Sequence, residues 1–329
     1  MIKVFIDGSA GTTGLRIHER LSARPELELL RLPEALRKDR EARRDALNAA
    51  DVAFLCLPDA AAEEAAALVE NPDTALIDTS TAHRTAEGWV YGFPELTGQR
   101  EAIRAAKRVA NPGCHASGFI SLVAPLVERG LLSPEAHLSC FSLTGYSGGG
   151  KKMIAEYEAA AAAGQAGTDR AGSEETGTGA RGPAREPLLA APRQYGLGQS
   201  HKHLPEMVRL CGLRTAPVFC PVVAPYYAGM EVTVSLFAEE LHGDAAALGA
   251  FYRDYYREGL VRYADGDEAG FLSACALEGR DDMVLTVRGN AERILLISRF
   301  DNLGKGASGA AIQNMNLLLG LDERAGLAV

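Results

Sequence analysis

The sequence has 329 residues, of which 47% are hydrophobic and 23% charged, and this length supports a sizeable core and two domains. Its formal net charge of −9 argues against nucleic acid as the main partner, because a surface that follows phosphates is normally basic. The start, MIKVFIDGSAG, lacks the layout of a signal peptide, and no apolar run approaches the roughly 20 residues that span a membrane, so we expect a soluble cytoplasmic protein.

Short apolar runs alternate with amphipathic helical segments in the first third of the chain. The runs are 2–6, 27–31, 51–57, 75–78 and 108–110, and the helical segments lie near 12–23, 40–49, 59–70 and 99–106. This alternation predicts an α/β fold with a doubly wound parallel sheet of the Rossmann type. Ligands of such sheets bind at the carboxyl ends of the strands.

The first predicted strand leads into GSAGTTG, which sets three glycines between a strand and a helix. Glycines let the backbone approach a pyrophosphate, and the helix N-terminus favours its charge. The spacing G-x-x-G-x-x-G differs from the commoner G-x-G-x-x-G, so a plain tight turn stays an alternative. The residues that we expect to contact a dinucleotide are Gly8, Ser9, Ala10, Gly11, Thr12, Thr13 and Gly14.

The second predicted strand ends without the acidic residue that commonly binds the ribose 2′-hydroxyl of NAD. It is followed instead by the cations Arg31, Arg37 and Lys38. Because cations suit a 2′-phosphate, we favour NADP(H) over NAD(H).

The stretch DTSTAHRT, residues 78–85, follows a further strand of this sheet. Ser80, Thr81 and Arg84 are placed there to meet a phosphate or a cofactor. A surface ion pair is the alternative for Arg84.

The turn Asn111-Pro112-Gly113 precedes Cys114 and a helical segment. Pro112 disfavours helix for Asn111, and Gly113 permits a tight backbone. A thiol at a helix N-terminus faces unpaired N–H groups, which favour the thiolate. Cys114 is therefore either a nucleophile or, as most free cysteines are, a buried structural residue.

The pattern changes after Cys114. We predict a helix over 115–130 that bends or breaks near Pro125, a helix at 245–258, and a mixed or antiparallel sheet from the runs 137–144, 217–223, 230–237, 283–289 and 293–300. The small-residue stretch 159–193 is typical of a long loop. Residues 304–321 predict a helix that packs closely, back against the first domain.

Two polar motifs in this half are candidates for a site. The glycines around Ser147, followed by Lys151 and Lys152, are suited to an anionic substrate, although a flexible hairpin explains them equally. His201 and His203 offer a general acid or base, but at this spacing in an extended segment only one of them would face a given site. The six cysteines contain no C-x-x-C pair, and we find no convincing set of metal ligands.

Seven stretches occur in an order that resembles the N-acetyl-gamma-glutamyl-phosphate reductases of arginine biosynthesis, in their shorter length class. They are GSAGTTG, DTSTAHR, YGFPEL, NPGCHAS, GYSGGGKK, HKHLPEM and FDNLGKGASGAAIQNMNLLLG. The resemblance covers nearly the whole chain and extends to the aspartate-semialdehyde dehydrogenase superfamily. It implies a dinucleotide domain over 1–113, completed by the C-terminal helix at 301–329, and a catalytic and dimerisation domain over 114–300.

The resemblance also implies residue roles. Cys114 would be the nucleophile and His203 the acid/base, Ser80 and Asn302 would join the cofactor site, and the substrate residues would be Arg84, Asn111, Ser147, Gly148, Lys151, His201 and Glu206. The implied reaction is the NADPH-dependent reduction of N-acetylglutamyl phosphate to the semialdehyde through a Cys114 thioester, in a homodimer or homotetramer.

Two alternatives stay open at this point. Aminoadipyl phosphate or aspartyl phosphate would undergo the same chemistry, although the acidic net charge disfavours a carrier-protein-bound substrate. A non-catalytic NADP(H)-binding sensor on this fold is the remote alternative, and it would leave Cys114 or His203 dispensable.

Overall fold

A computed structural model describes residues 1–168, 188–266 and 268–329 of the chain. Its elements form two sheets, and the nucleotide-binding pattern of the sequence belongs to the first. None of the helices in these ranges combines the length and hydrophobicity that crossing a bilayer requires.

The first sheet has six strands in the order β2-β1-β3-β4-β6-β5, all paired in parallel. The strands are β1 (Ile2–Asp7), β2 (Leu27–Leu30), β3 (Val52–Leu55), β4 (Ala75–Asp78), β5 (Val90–Tyr91) and β6 (Arg108–Ala110). The helices between them are α1 (Thr12–Ser22), α2 (Arg40–Ala49), α3 (Asp59–Ala67) and α4 (Gln99–Ala105). This confirms the predicted Rossmann-type α/β sheet; the sequence pattern missed only the two-residue strand β5.

Both faces of this sheet are covered, as the strand alternation requires. Val4 and Phe54 pack on the α1 side, whereas Phe5 and Leu55 pack against α2 and α3 on the other. The central strands are buried on both faces, which is why they appear in the sequence as continuous apolar runs.

The second sheet is mixed, with the strand order β11-β12-β13-β10-β7-β9-β8. Its strands are β7 (Ser139–Gly145), β8 (Arg193–Gln194), β9 (Val218–Ala224), β10 (Met230–Phe237), β11 (Val261–Tyr263), β12 (Met283–Gly289) and β13 (Arg293–Phe300). The remaining helices are α5 (Cys114–Glu128), α6 (Gly150–Thr168), α7 (Leu204–Cys211), α8 (Ala245–Tyr255) and α9 (Gly309–Leu318). β7 pairs with β9 and β11 with β12 in parallel, so the predicted mixed sheet is confirmed.

Helix α5 continues through Pro125, so of the predicted bend or break the break does not occur. A proline removes the hydrogen bond to the carbonyl four residues earlier, which is that of Ser121. The hydroxyl of Tyr256 donates to this carbonyl oxygen at 2.7 Å, so the freed acceptor is satisfied from outside the helix.

The predicted loop over 159–193 is wrong in its first part. Helix α6 continues to Thr168, because the alanines at 159–163 favour a helix more than the neighbouring glycines oppose it. Residues 169–187 lie outside the described part of the chain, and β8 ends the stretch.

The C-terminal segment crosses back to the first sheet. A single π-helical turn, Gly304–Ser308, leads into α9, whose Ile312 and Met315 are fully buried in the same apolar cluster as Val4. The last helix therefore packs on the first sheet, on the face that α1 also covers.

Candidate active site

Cys114 is the first residue of α5, and β6 and the turn 111–113 aim it at the cleft between the two sheets. Gly113 has extended backbone angles and no side chain to cap the helix. A Cβ at Gly113 would overlap Arg84, His203 and Glu206, so only glycine fits this approach. The turn therefore brings the thiol into a crowded polar cluster.

Glu206 lies at the centre of that cluster and is 1% exposed. Its carboxylate accepts hydrogen bonds from Arg84 Nη1 at 2.8 Å, from the Tyr91 hydroxyl at 2.7 Å and from the Gly113 N–H at 3.2 Å. It lies 4.0 Å from Nε2 of His203. One buried carboxylate thus connects α7, the 79–84 turn and the turn before Cys114.

Three imidazoles surround the same cavity. The rings of His201 and His203 are 4.7 Å apart, and His115 lies 5.6 Å and 5.5 Å from them. The prediction that only one of His201 and His203 faces a site is wrong, because the segment turns at His203, whose φ and ψ are −87° and −11°, instead of staying extended. Both histidines line the cavity.

The cavity has a volume of about 430 Å³ and is bounded by both halves of the molecule. Its lining includes Cys114 together with His201, Lys202 and His203, and also Thr12 and Thr13 of the turn at residues 8–14, which we call the glycine turn. Further lining residues are Arg84, Asn111, Ser147, Gly148, Tyr195 and Asn302. Within the described ranges, no three His, Cys, Asp or Glu side chains are arranged to hold a metal ion.

Burial is the largest cause of the pKa shifts of both Cys114 and His203. Burial raises the pKa of the Cys114 thiol, although the Arg84 guanidinium and the His115 N–H act against it. Burial, followed by the charge of Arg84, holds the pKa of His203 well below its usual range. Burial thus opposes the thiolate that the N–H groups at the helix start favour, and it favours the neutral imidazole of His203.

A second cavity of about 930 Å³ adjoins the glycine turn. Gly8, Ser9 and Ala10 line it, and so do the predicted cations Arg31, Arg37 and Lys38. Gly8 has a φ of +86°, and a Cβ there would overlap the carbonyl oxygen of Cys56. Gly14 allows α1 to approach this turn, since its Cβ would lie 3.0 Å from Cα of Ser9.

These features fit a dinucleotide. The N–H groups at the start of α1 have no side-chain cap, and its first turn carries no acidic residue. A turn of this kind presents N–H donors to a pyrophosphate, and the cations beyond β2 lie where an adenosine 2′-phosphate would need them.

Several predicted residues lie elsewhere than their predicted roles suggest. The Ser80 hydroxyl donates to Asp78 at 2.7 Å and lines neither cavity, while Gly11 shapes the turn by donating its N–H to the Gly8 carbonyl. Asn302, predicted for the cofactor, lines the Cys114 cavity and donates to Ser147 Oγ at 3.0 Å. Lys151, predicted for the substrate, lines the second cavity.

Two substrate predictions fall on residues already engaged with the protein. The Asn111 amide donates to the Ala307 carbonyl at 3.0 Å and accepts from Asn314 at 3.2 Å, so it ties the turn before Cys114 to the C-terminal segment. Glu206 does not line the cavity at all. Each acts on the site through the residues that it holds.

Sequence reasoning missed His115 and Tyr195. His115 is fully hydrogen-bonded, with Nδ1 2.6 Å from Ser142 Oγ and Nε2 2.6 Å from the Tyr195 hydroxyl, which reaches the cavity wall. The position of His115 beside Cys114 was a usable signal; Tyr195, beyond the small-residue stretch, gave none.

Comparisons with known proteins agree with this geometry. Residues 3–106 match the family model described as "Semialdehyde dehydrogenase, NAD binding domain", and residues 170–302 match "Semialdehyde dehydrogenase, dimerisation domain". Solved structures of similar fold include aspartate semialdehyde dehydrogenase II from Vibrio cholerae, with a TM-score of 0.70, 17% identity, and coverage of 97% of this chain and 98% of that one.

Curated relatives are much closer in sequence. A Burkholderia lata protein named N-acetyl-gamma-glutamyl-phosphate reductase is 43% identical, covering 96% of each chain. A Nostoc sp. protein named N-acetyl-gamma-glutamyl-phosphate reductase 2 is 40% identical, covering 99% of each chain. The chain therefore belongs to the N-acetyl-gamma-glutamyl-phosphate reductase family, on a semialdehyde dehydrogenase fold.

Proposed function

We propose that this protein is an oxidoreductase of arginine biosynthesis that reduces N-acetylglutamyl phosphate to N-acetylglutamate semialdehyde with NADPH. The observation that carries the proposal is one cavity lined by Cys114, by His203 and by the threonines of the glycine turn. A nucleophile, a base and the approach to a dinucleotide site thus meet at one place. The family membership of the chain supports the same substrate.

Cys114 attacks the acyl carbon of the acyl phosphate while the neutral imidazole of His203 takes the thiol proton. The C–S bond forms as the C–O bond to phosphate breaks, which leaves a thioester and an imidazolium. The N–H groups at the start of α5 face the developing oxyanion; losing one such donor typically costs roughly 2.7–4 kcal/mol of barrier.

When bound, the nicotinamide ring supplies a hydride to the thioester carbon. The imidazolium of His203 would then protonate the oxygen of the hemithioacetal. As the C–S bond breaks, His203 would take this proton back and pass it to the sulfur, which releases the aldehyde and returns the Cys114 thiol. Serine at this position would form an oxygen ester, which accepts hydride less readily.

Arg84 and Lys202 are the cations of this cavity, and we assign them to the anionic groups of the substrate. Arg84 donates through Nε to the Asn111 carbonyl, through Nη1 to Glu206 and through Nη2 to the Thr79 carbonyl. A guanidinium has five N–H donors, so two remain for a carboxylate or phosphate.

Other assignments follow from the same proposal. NADP(H) is favoured over NAD(H) by Arg31, Arg37 and Lys38; equal use of NADH would overturn that preference. We place the division between the domains at Gly113, with the chain from 301 onward completing the first domain. We further assign the enzyme to the cytoplasm.

We propose that the protein is a homodimer or homotetramer joined through the second sheet. One face of this sheet exposes Phe141 on β7, Val218 on β9 and Leu295 on β13, which are 48%, 58% and 39% accessible. Exposed apolar patches of this kind mark interfaces. Light scattering that finds a monomer at micromolar concentration would contradict this.

The test of the reaction is the phosphate-dependent reverse direction: NADP+ reduction with N-acetylglutamate semialdehyde, by the wild type and by Cys114→Ala. Activity that disappears in the variant supports both substrate and nucleophile. Activity only with aspartate semialdehyde or an aminoadipate analogue keeps the mechanism and changes the substrate. Inactivity with every aldehyde, despite tight NADPH binding, indicates a sensor.

A further inference from the structure

The residues around the start of α6 border both cavities at once. Gly148, Gly149, Gly150 and Met153 line the cavity that holds Cys114. Lys151, in the middle of this run, lines the other cavity together with Gly8, Ser9 and Ala10. The segment 148–153 therefore forms a wall shared by the reacting groups and the dinucleotide cavity, and Lys151 is its side chain on the dinucleotide side.

Lys151 forms no salt bridge within the described residues. The side chain is exposed, and no carboxylate among the described residues pairs with it. Arg43, which lines the same cavity, differs: it is neutralised by Asp7, with Nη2 2.9 Å from the carboxylate. Among the described residues, Lys151 is thus an unpaired cation that lines the same cavity as the glycine turn.

Three further cations line this cavity and, unlike Arg43, are unpaired within the described residues. Arg31, Arg37 and Lys38 are exposed, and none of them forms a salt bridge within the described ranges. Glu34 is the only carboxylate in the lining besides the neutralised Asp7, as far as the described residues show. Four cations that are unpaired within the described residues, beside a glycine turn, suit a phosphate ester as ligand.

We propose that Lys151 is a cofactor-binding residue, whose ammonium binds a phosphate of NADP(H), and that it does not bind the acyl-phosphate substrate. The inference rests on the proposed use of NADP(H). Residues from both halves of the chain would then form the cofactor site. Cofactor binding then also fixes residues 148–153, which form part of the wall around Cys114.

The test measures NADPH dissociation constants directly, by titrating the fluorescence of the reduced cofactor in the absence of substrate. The variants are Lys151→Met, Lys151→Arg, and Lys152→Met as the matched control. Lys152 is the neighbouring exposed lysine and lines neither of these cavities. We expect Lys151→Met to weaken NADPH binding about tenfold, as for loss of a charge-assisted hydrogen bond. Lys151→Arg and Lys152→Met should stay within about threefold of wild type.

A parallel titration with NADH distinguishes the two phosphate sources. If Lys151 binds the 2′-phosphate, Lys151→Met weakens NADPH binding and leaves NADH unchanged. If it binds the pyrophosphate, both cofactors weaken alike. Either pattern supports the proposal. The loss should shrink with rising salt, because added ions screen an exposed charge pair.

Two results would overturn the proposal. If Lys151→Met bound NADPH as the wild type does but had an increased KM for N-acetylglutamate semialdehyde, Lys151 would be a substrate-binding residue, and the proposed function would still stand. Failure of the wild type itself to bind NADPH would contradict both the role of Lys151 and the proposed function. Thermal unfolding of each variant without ligand shows whether a loss of binding reflects a loss of folding instead.

Discussion

At the scale of single residues, the Cys114 thiol is subject to opposing influences. Burial raises its pKa, whereas the charge of Arg84 and the N–H of His115 lower it, and burial dominates. His203 is likewise kept neutral. In the proposed mechanism we therefore expect Cys114 to lose its proton to His203 during attack rather than to rest as a thiolate.

Alkylation of Cys114 by iodoacetamide tests this directly. We expect the rate in the ligand-free enzyme to rise with a midpoint above the value of about 8.5 for an exposed thiol, because the thiolate reacts. Arg84→Met should move the midpoint further upward. Cys114→Ser gives the background from the other cysteines. A midpoint below pH 7 would contradict a resting thiol.

Glu206 is a positioning residue, since it contacts Arg84 and the Gly113 N–H but not the cavity. Glu206→Gln should lower kcat by about 100-fold, because misplacing reacting groups by roughly 1 Å costs about that factor. KM should change little. Tyr91→Phe, which removes one hydrogen bond and keeps the Arg84 pair, is the milder control.

The opposite pattern would refute a positioning role for Glu206. A substrate-binding carboxylate would raise KM and leave kcat near the wild-type value. Steady-state kinetics in the reverse direction separate the two.

At the scale of an element, α5 is buried on every side for most of its length. The polar side chains of such a helix need hydrogen-bond partners within the protein, because burying them without partners costs stability. His115 does so through Ser142 and Tyr195, and burial lowers its pKa to about 3. The imidazole is therefore neutral in the folded protein at pH values where the unfolded chain binds a proton.

This difference makes the stability of the fold depend on pH. Because the folded pKa lies below the unfolded value near 6.5, stability is complete above pH 6.5 and falls as the pH drops toward 3. At pH 5 the loss from this residue alone is about 2 kcal/mol.

Urea unfolding at pH 7 and at pH 5 measures this loss of stability. His115→Gln should reduce the pH dependence, whereas His137→Gln, at an exposed position, should not. If the unfolding free energies of the two variants changed equally with pH, His115 would not be the cause of the pH dependence.

At the scale of the whole molecule, a buried ion pair connects the C-terminal segment to both halves. Nζ of Lys305, in the π-helical turn, lies 2.8 Å from the Glu95 carboxylate, and both residues are almost inaccessible. Gln313 of α9 and the Leu260 N–H donate to the same carboxylate at 2.8 Å and 3.0 Å. Glu95 thus fixes where α9 meets the rest of the protein.

Lys305→Met should destabilise the protein by about 3–5 kcal/mol, since it leaves a buried carboxylate without its counter-charge. Glu95→Gln combined with Lys305→Met should recover a large part of that loss. Arg253→Met, which breaks an exposed pair with Asp265, should cost below about 1 kcal/mol. The measurement is urea unfolding at neutral pH; a double variant less stable than Lys305→Met would refute the explanation.

Local patterns predicted the first sheet well, because each strand and helix there is a short segment with its own periodicity. β5 was missed because two residues carry no periodic signal, and α6 because its alanines and glycines give conflicting propensities. That α5 would not break at Pro125 was not predictable from local sequence, because Tyr256, whose hydroxyl binds the freed Ser121 carbonyl, lies far along the chain.

The sequence by itself determined the parallel sheet, the glycine turn and the placement of Cys114 at a helix start, since those follow from residues adjacent in the chain. Only the tertiary structure decided which groups meet Cys114, that both His201 and His203 line its cavity, and that Lys151 belongs to the dinucleotide side. It also decided the direction in which the pKa values of Cys114 and His203 shift. Desolvation depends on what surrounds a group in space, and chain neighbours specify only part of that environment.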